Sequence, residues 1–235
     1  MPGWKPKFFM KEKHWILLFI IVLAGDIVGV QLQNTLLQTI FKPLIIPMLI
    51  GYFNSQVKDI TQGLAKWVLF ALIFSLAGDV LLMFQAKKEI FFLLGLASFL
   101  IAHIFYIIFF HHVRVQENVK SNPWLLVIVV VYYATLISWL SPFLGEMKLP
   151  VRIYGIVISI MFMLAMHMLY IKNKVAGNWI MWGALLFVIS DSVLAINKFY
   201  QTFEAANVII MLTYGLAQLL IVKGAANYVI SRDKE

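Results

Sequence analysis

Residues 65–85 read AKWVLFALIFSLAGDVLLMFQ, and this stretch decides the fold. After Lys66 it carries no charge until Asp79. As an α-helix it is about 30 Å long, the thickness of the hydrocarbon core of a bilayer. Outward from it lie seven more apolar stretches long enough to span. The eight predicted helices are His14–Val30, Thr35–Phe53, Ala65–Gln85, Glu89–His111, Pro123–Ser141, Pro150–Ile171, Asn178–Phe199 and Glu204–Ala225. The second is short and contains Pro43 and Pro47, so a kinked or re-entrant segment is one reading of it. The expected architecture is all-α, an integral membrane bundle of about eight transmembrane helices. It forms a single polytopic membrane domain over residues 1–235.

Composition agrees. Hydrophobic residues make up 62% of the chain and charged ones 13%, against roughly 45–50% and 25% in soluble domains. The net charge of +8 does not indicate nucleic acid. The basic residues sit in short polar gaps between apolar runs, where they meet anionic lipid head groups. Cysteine is absent, which removes thiol nucleophiles, disulfides and thiolate metal sites.

Lysines 5, 7, 11 and 13 precede the apolar run from Trp15 to Ala24, in the manner of a signal peptide. No clean small-x-small cleavage site follows and Asp26 interrupts the run, so it is read as an uncleaved first helix. Thirteen Lys and Arg residues fall on the side of the termini and five on the other, with Lys42 counted as intramembrane. The excess predicts cytoplasmic termini. All connections are short, which puts function among the helices. Gly78–Leu82 faintly echoes Ser190–Leu194, four helices later in the same direction.

Ionisable groups inside spanning segments cost several kcal/mol at least and are functional candidates by default. Here they are Asp26, Lys42, Asp79, His103 and Asp191. Counting residues from the predicted helix ends puts Asp26, Lys42, Asp79 and Asp191 roughly 6–11 Å below the non-cytoplasmic edge. Four charges at one depth on four helices suggest a shared polar chamber. His103 lies deeper, with Tyr106 one turn along, and Tyr214 and Gln218 share a face of the last helix. Blander roles exist for most of these. Lys42 can snorkel to the interface, and Asp26 is near enough to a helix end to be hydrated. His103 with Tyr106, or Tyr214 with Gln218, can join helices by hydrogen bonds. His14, His111, His112 and His167 fall near the cytoplasmic edge and read as interfacial. Asp79 and Asp191 resist such readings, because each is flanked by Gly or Ser and neither can snorkel far. No pair of His at i and i+4 offers zinc ligation, and no G-x-S-x-G marks a serine hydrolase. A pair of buried carboxylates remains, with a Lys and a His nearby.

At these residues the chain resembles the YhhN-like lysoplasmalogenase family of multi-pass membrane proteins. The resemblance lies in Lys42-Pro43-Leu44, Phe74 to Asp79, Ala102 to Tyr106, Gly183 to Phe199 and Met211 to Gln218, in order over residues 40–220. It implies hydrolysis of the vinyl-ether bond of lysoplasmalogens to a fatty aldehyde and a glycerophospho-base. It puts the essential acids at Asp79 and Asp191, and needs no metal or cofactor. Expected contacts to the lysophospholipid are Lys42, His103, Tyr106, Asn197, Lys198, Tyr214 and Gln218. Asn197 stands where some relatives carry an acid. The expected location is the bacterial inner (plasma) membrane, with membrane lipid as the other partner. The chemistry suits the residues independently. A vinyl ether hydrolyses when a carboxylic acid protonates its β-carbon and a second carboxylate steadies the cation or activates water, the logic of the glycosidase pair. The rival reading is a proton-coupled small-molecule or lipid transporter, which also uses intramembrane acids.

Overall fold

The computed structural model describes residues 12–57 and 63–233. Lys5, Lys7, Lys11, Lys58 and Lys234 of the charge count lie outside the described residues. Among the described residues eight α-helices follow one another: α1 Glu12–Gln31, α2 Thr35–Val57, α3 Ala65–Met83, α4 Ile90–Gln116, α5 Pro123–Leu140, α6 Lys148–His167, α7 Lys174–Ala195 and α8 Ala206–Asp233. All eight are long and apolar enough to cross a membrane, and the described residues contain no strand. The protein is a multi-pass, all-α integral membrane protein.

At three of the turns, polar side chains take up the free N–H groups of helix starts. The Asn34 side chain accepts from the N–H groups of Leu36 and Leu37 ahead of α2. Asn122 caps α5, with Pro123 at the first helical position, and Asn173 caps α7. His167 is a correction to the interfacial reading. It is buried, donating from Nδ1 to the Met163 carbonyl (2.8 Å) and accepting at Nε2 from the Asn122 N–H (3.2 Å). It ties the end of α6 to the start of α5.

α1 with α2, α3 with α4, and α7 with α8 pack along their lengths as antiparallel hairpins. The α7–α8 pair approaches closest. A Cβ at Gly183 would sit 2.8 Å from the Ala217 carbonyl oxygen, and one at Gly224 would sit 2.8 Å from that of Ala176. Only glycine lets two backbones meet so closely. α8 also packs against α1, α2 and α3, which makes it the central helix of the bundle. α5 is peripheral: Leu125, Val129 and Leu140 are its only buried residues, and Leu126, Val127, Ile128, Val130 and Val131 are exposed in the manner of a lipid-facing surface.

α2 corrects the re-entrant alternative by running as one continuous helix through Pro43 and Pro47. Each proline lacks an N–H, so the Thr39 and Pro43 carbonyls lose their helical donors. Neighbouring helices make such breaks tolerable in a bundle. α4 and α8 extend beyond their predicted ends, to Gln116 and Asp233. Hydropathy marks the lipid-facing part of a helix, whereas its backbone hydrogen bonding continues into the interface.

Candidate active site

One cavity of about 310 Å³ opens in the half of the bundle formed by the end of α1, the start of α2, the end of α3 and the starts of α4, α6 and α8, with the end of α7. Lys42, Asp79 and Asp191 all line it, as does Tyr214. Three of the four charges expected at one depth therefore share one chamber. Thr35, Gln38, Thr39, Gln85 and Asn207 add neutral polar groups, while Leu82, Phe92, Leu96, Phe99 and Met211 supply apolar wall. A few polar groups converging in a largely apolar concavity is the usual form of a small-molecule site.

Each aspartate is held by a tyrosine from another helix. Asp79 on α3 is 2% exposed and accepts from the Tyr214 hydroxyl of α8 at 2.8 Å. Asp191 on α7 accepts from the Tyr154 hydroxyl of α6 at 2.5 Å. His103 on α4 places Nε2 3.4 Å from the same Asp191 oxygen and 3.1 Å from the Tyr154 hydroxyl. His103 Nδ1 is buried without a partner. This pattern assigns the ring proton to Nε2, since an unpaired acceptor costs less than the loss of both contacts. Phe187 stands edge-on to both His103 (4.7 Å) and Tyr214 (5.5 Å), and so connects the two acid sites through its ring.

Behind the cavity wall a second polar chain ties three helices. Tyr106 donates to Gln218 Oε1 (2.6 Å), and Gln218 Nε2 donates to Ser75 Oγ (3.0 Å). Tyr106, Gln218 and His103 are fully buried and lie outside the cavity lining. Apart from His103 Nδ1, their side-chain polar atoms pair with one another or with Ser75, Tyr154 and Asp191, which ties them to the groups in front. Asn197 and Lys198 also lie outside the lining. They fall in a single π-helical turn, Ile196–Tyr200, after α7. Asn197 accepts from the Phe203 N–H at 3.3 Å and closes the turn into α8. Lys198 is exposed, with its ammonium 4.8 Å from the ring of cavity-lining Phe92, at the rim.

Asp26 corrects its expected hydration. It is fully buried, both carboxylate oxygens lack a hydrogen-bond partner, and it does not line the cavity. Lys42 is within electrostatic reach of both Asp26 and Asp79. The helix-end count erred because depth from an end does not measure exposure when neighbouring helices cover it. Tyr154 is the residue that sequence reasoning missed. Counted from Lys148 it lies about 9 Å below the same edge as the aspartates. That depth was the available signal, hidden by the habit of tyrosines to sit at membrane interfaces. Among the described residues no three His, Cys, Asp or Glu side chains gather in a metal-holding group.

Fold and site together define a polytopic helical membrane protein that converges two tyrosine-held carboxylates and a lysine on one internal cavity. The chain belongs to the YhhN family, whose model matches residues 37–225. It is 35% identical over 159 residues to the human lysoplasmalogenase TMEM86B, covering 66% of this chain and 61% of that protein. It is 34% identical over 165 residues to the mouse lysoplasmalogenase TMEM86B, covering 69% and 65%. With the lysoplasmalogenase of Mycobacterium tuberculosis it shares 30% over 162 residues, covering 68% and 60%. The chain thus spans less than two thirds of the length of these curated relatives. No solved structure matches it.

Proposed function

We propose that this protein is an intramembrane hydrolase that cleaves the vinyl-ether bond of lysoplasmalogens, with Asp79 and Asp191 as its acid and base. The observation that carries the reading is the convergence of these two carboxylates on one cavity, each on its own tyrosine, beside a lysine. The names of the relatives point the same way.

The chemistry balances without a cofactor. One carboxyl, in its acid form, transfers its proton to the β-carbon of the alkenyl chain, and the double-bond electrons form that C–H bond. An oxocarbenium ion remains on the carbon that bears the ether oxygen. The other carboxylate steadies this cation and takes a proton from the water that attacks it, giving a hemiacetal. The proton gained passes to the ether oxygen as the C–O bond breaks, and the hemiacetal hydroxyl gives its proton to the first carboxylate as its oxygen becomes the aldehyde carbonyl, which restores both acids. A fatty aldehyde and a glycerophospho-base leave. Acid–base pairs of this kind contribute most when donor and acceptor are held within hydrogen-bond reach of the reacting atoms. Lys42 faces the same space and suits the lipid phosphate.

The test is mass spectrometry of purified protein incubated with a 1-alkenyl lysophosphatidylcholine, reading free aldehyde and glycerophosphocholine together. Asp79→Asn and Asp191→Asn are each expected to keep the fold and lose at least about 100-fold in turnover, the low end of general acid–base catalysis. Because one carboxyl donates while the other must be ionised, the wild-type rate should fall on both sides of a pH optimum. Near-native turnover by either variant would remove the two-carboxylate mechanism and favour proton-coupled transport.

A further inference from the structure

Asp191 and Tyr154 have a second concavity on their other side. Leu136, Ile137 and Leu140 of α5, Gly155 and Ile158 of α6, and Ala195 of α7 wall a groove of about 50 Å³, and Tyr154 and Asp191 line it as well as the main cavity. Polar side chains along the groove are already engaged. The Tyr132 hydroxyl pairs with Ser192 Oγ at 2.6 Å, and the Tyr133 hydroxyl donates to the Arg152 carbonyl at 3.3 Å. What the groove offers a ligand is aliphatic wall, bounded by α5, whose outer face carries the exposed Val130, Val131 and Trp139.

Resting on the hydrolase reading above, we propose that this groove seats the hydrocarbon chain of the lipid next to the vinyl ether, while the head group lies in the main cavity. A lysolipid of this class is polar on one side of its ether oxygen and hydrocarbon on the other. The structure has a chamber that holds the charged and polar side chains and an apolar groove, and the two meet at a carboxylate. The groove's volume has room for only the first carbons of the chain, the rest passing over α5 into the bilayer. An orientation of the reacting atoms follows. The β-carbon, which must receive the proton, is the chain-side carbon of the double bond. Asp191 lines the groove and Asp79 does not. Asp191 is then the proton donor, and Asp79 acts from the head-group side on the cation and the attacking water. A chain already in lipid gains little from hydrophobic transfer, so the groove acts through fit and alignment.

The experiment compares two alkenyl lysophosphatidylcholines, one with a sixteen-carbon 1-alkenyl chain and one with a bare ethenyl group that has no chain to seat. Ile137→Trp fills the groove from α5 while leaving both acid side chains in the protein. It is expected to lower kcat/KM for the long-chain substrate by about tenfold or more, the scale of hydrophobic-pocket discrimination. The ethenyl substrate should change by less than about twofold. Leu136→Ala widens the groove and supplies a second arm: a substrate methyl-branched next to the double bond should gain relative to the straight chain. Equal losses on both substrates with Ile137→Trp, or no change on either, would overturn the groove assignment while leaving the hydrolase intact. A wild-type protein that releases no aldehyde from any of these lipids would remove the hydrolase reading and the groove with it.

Discussion

Both oxygens of Asp26 are buried without a hydrogen-bond partner, a condition that costs several kcal/mol for a carboxylate in low dielectric. Lys42 offsets only part of that cost and also reaches Asp79 electrostatically. Asp26 therefore bears on the charge of the active cavity without lining it. Asp26→Asn is expected to displace the pH–rate profile of vinyl-ether hydrolysis and to leave the melting temperature unchanged or higher, since it removes an unsatisfied charge. An identical pH profile would confine Asp26 to packing. Lys42→Met separates the two duties of the lysine: KM should rise about tenfold or more for the phosphate-bearing lysolipid and far less for a phosphate-free alkenyl glycerol. Equal changes on the two substrates would count against a phosphate contact. At this scale the sequence displayed the chemistry-bearing atoms, because a charge in an apolar run is conspicuous. It hid Tyr154 and the burial of Asp26, because each depends on which helix stands opposite.

α7 and α8 both line the cavity, with Asp191 and Ser190 on one and Tyr214 and Asn207 on the other. Ser190 Oγ also donates to the Ile210 carbonyl at 3.0 Å, a bond that needs the close approach set by Gly183 and Gly224. Gly183→Leu would drive a side chain into the Ala217 carbonyl and the Ile221 N–H, both 2.8 Å from the new Cβ. Overpacking of this kind costs about 1–3 kcal/mol or more. The variant should melt several degrees lower and lose hydrolysis in step, whereas Gly63→Ala, with open space around its Cβ, should do neither. An unchanged melting temperature for Gly183→Leu would mean that the pair does not need its close approach. Eight helices were legible from hydropathy because lipid rewards unbroken apolar runs. The fate of α2 was less so. Proline is a strong breaker in water, and the sequence alone does not show the neighbours that let the helix continue through Pro43 and Pro47.

The whole molecule is asymmetric along its axis. The cavity is lined by residues near the α1–α2, α3–α4 and α7–α8 turns, all at the end of the bundle away from the chain termini. On the proposed hydrolase function, head groups reach Lys42 and the aspartates from the leaflet on that side. The excess of Lys and Arg on the other side predicts cytoplasmic termini, and on that prediction the supplying leaflet is the outer one. The native chain has no cysteine, so single cysteines report directly. Ser121→Cys places one in the α4–α5 turn on the side of the termini, and Thr202→Cys places one in the exposed α7–α8 turn beside the cavity. In intact cells an impermeant maleimide should label the Thr202 variant and spare the Ser121 variant, and lysis should expose both. The reverse pattern would invert the molecule and move substrate supply to the cytoplasmic leaflet. The internal geometry of the two aspartates would stand unchanged, because it is set by helix packing and not by the direction in which the bundle is inserted.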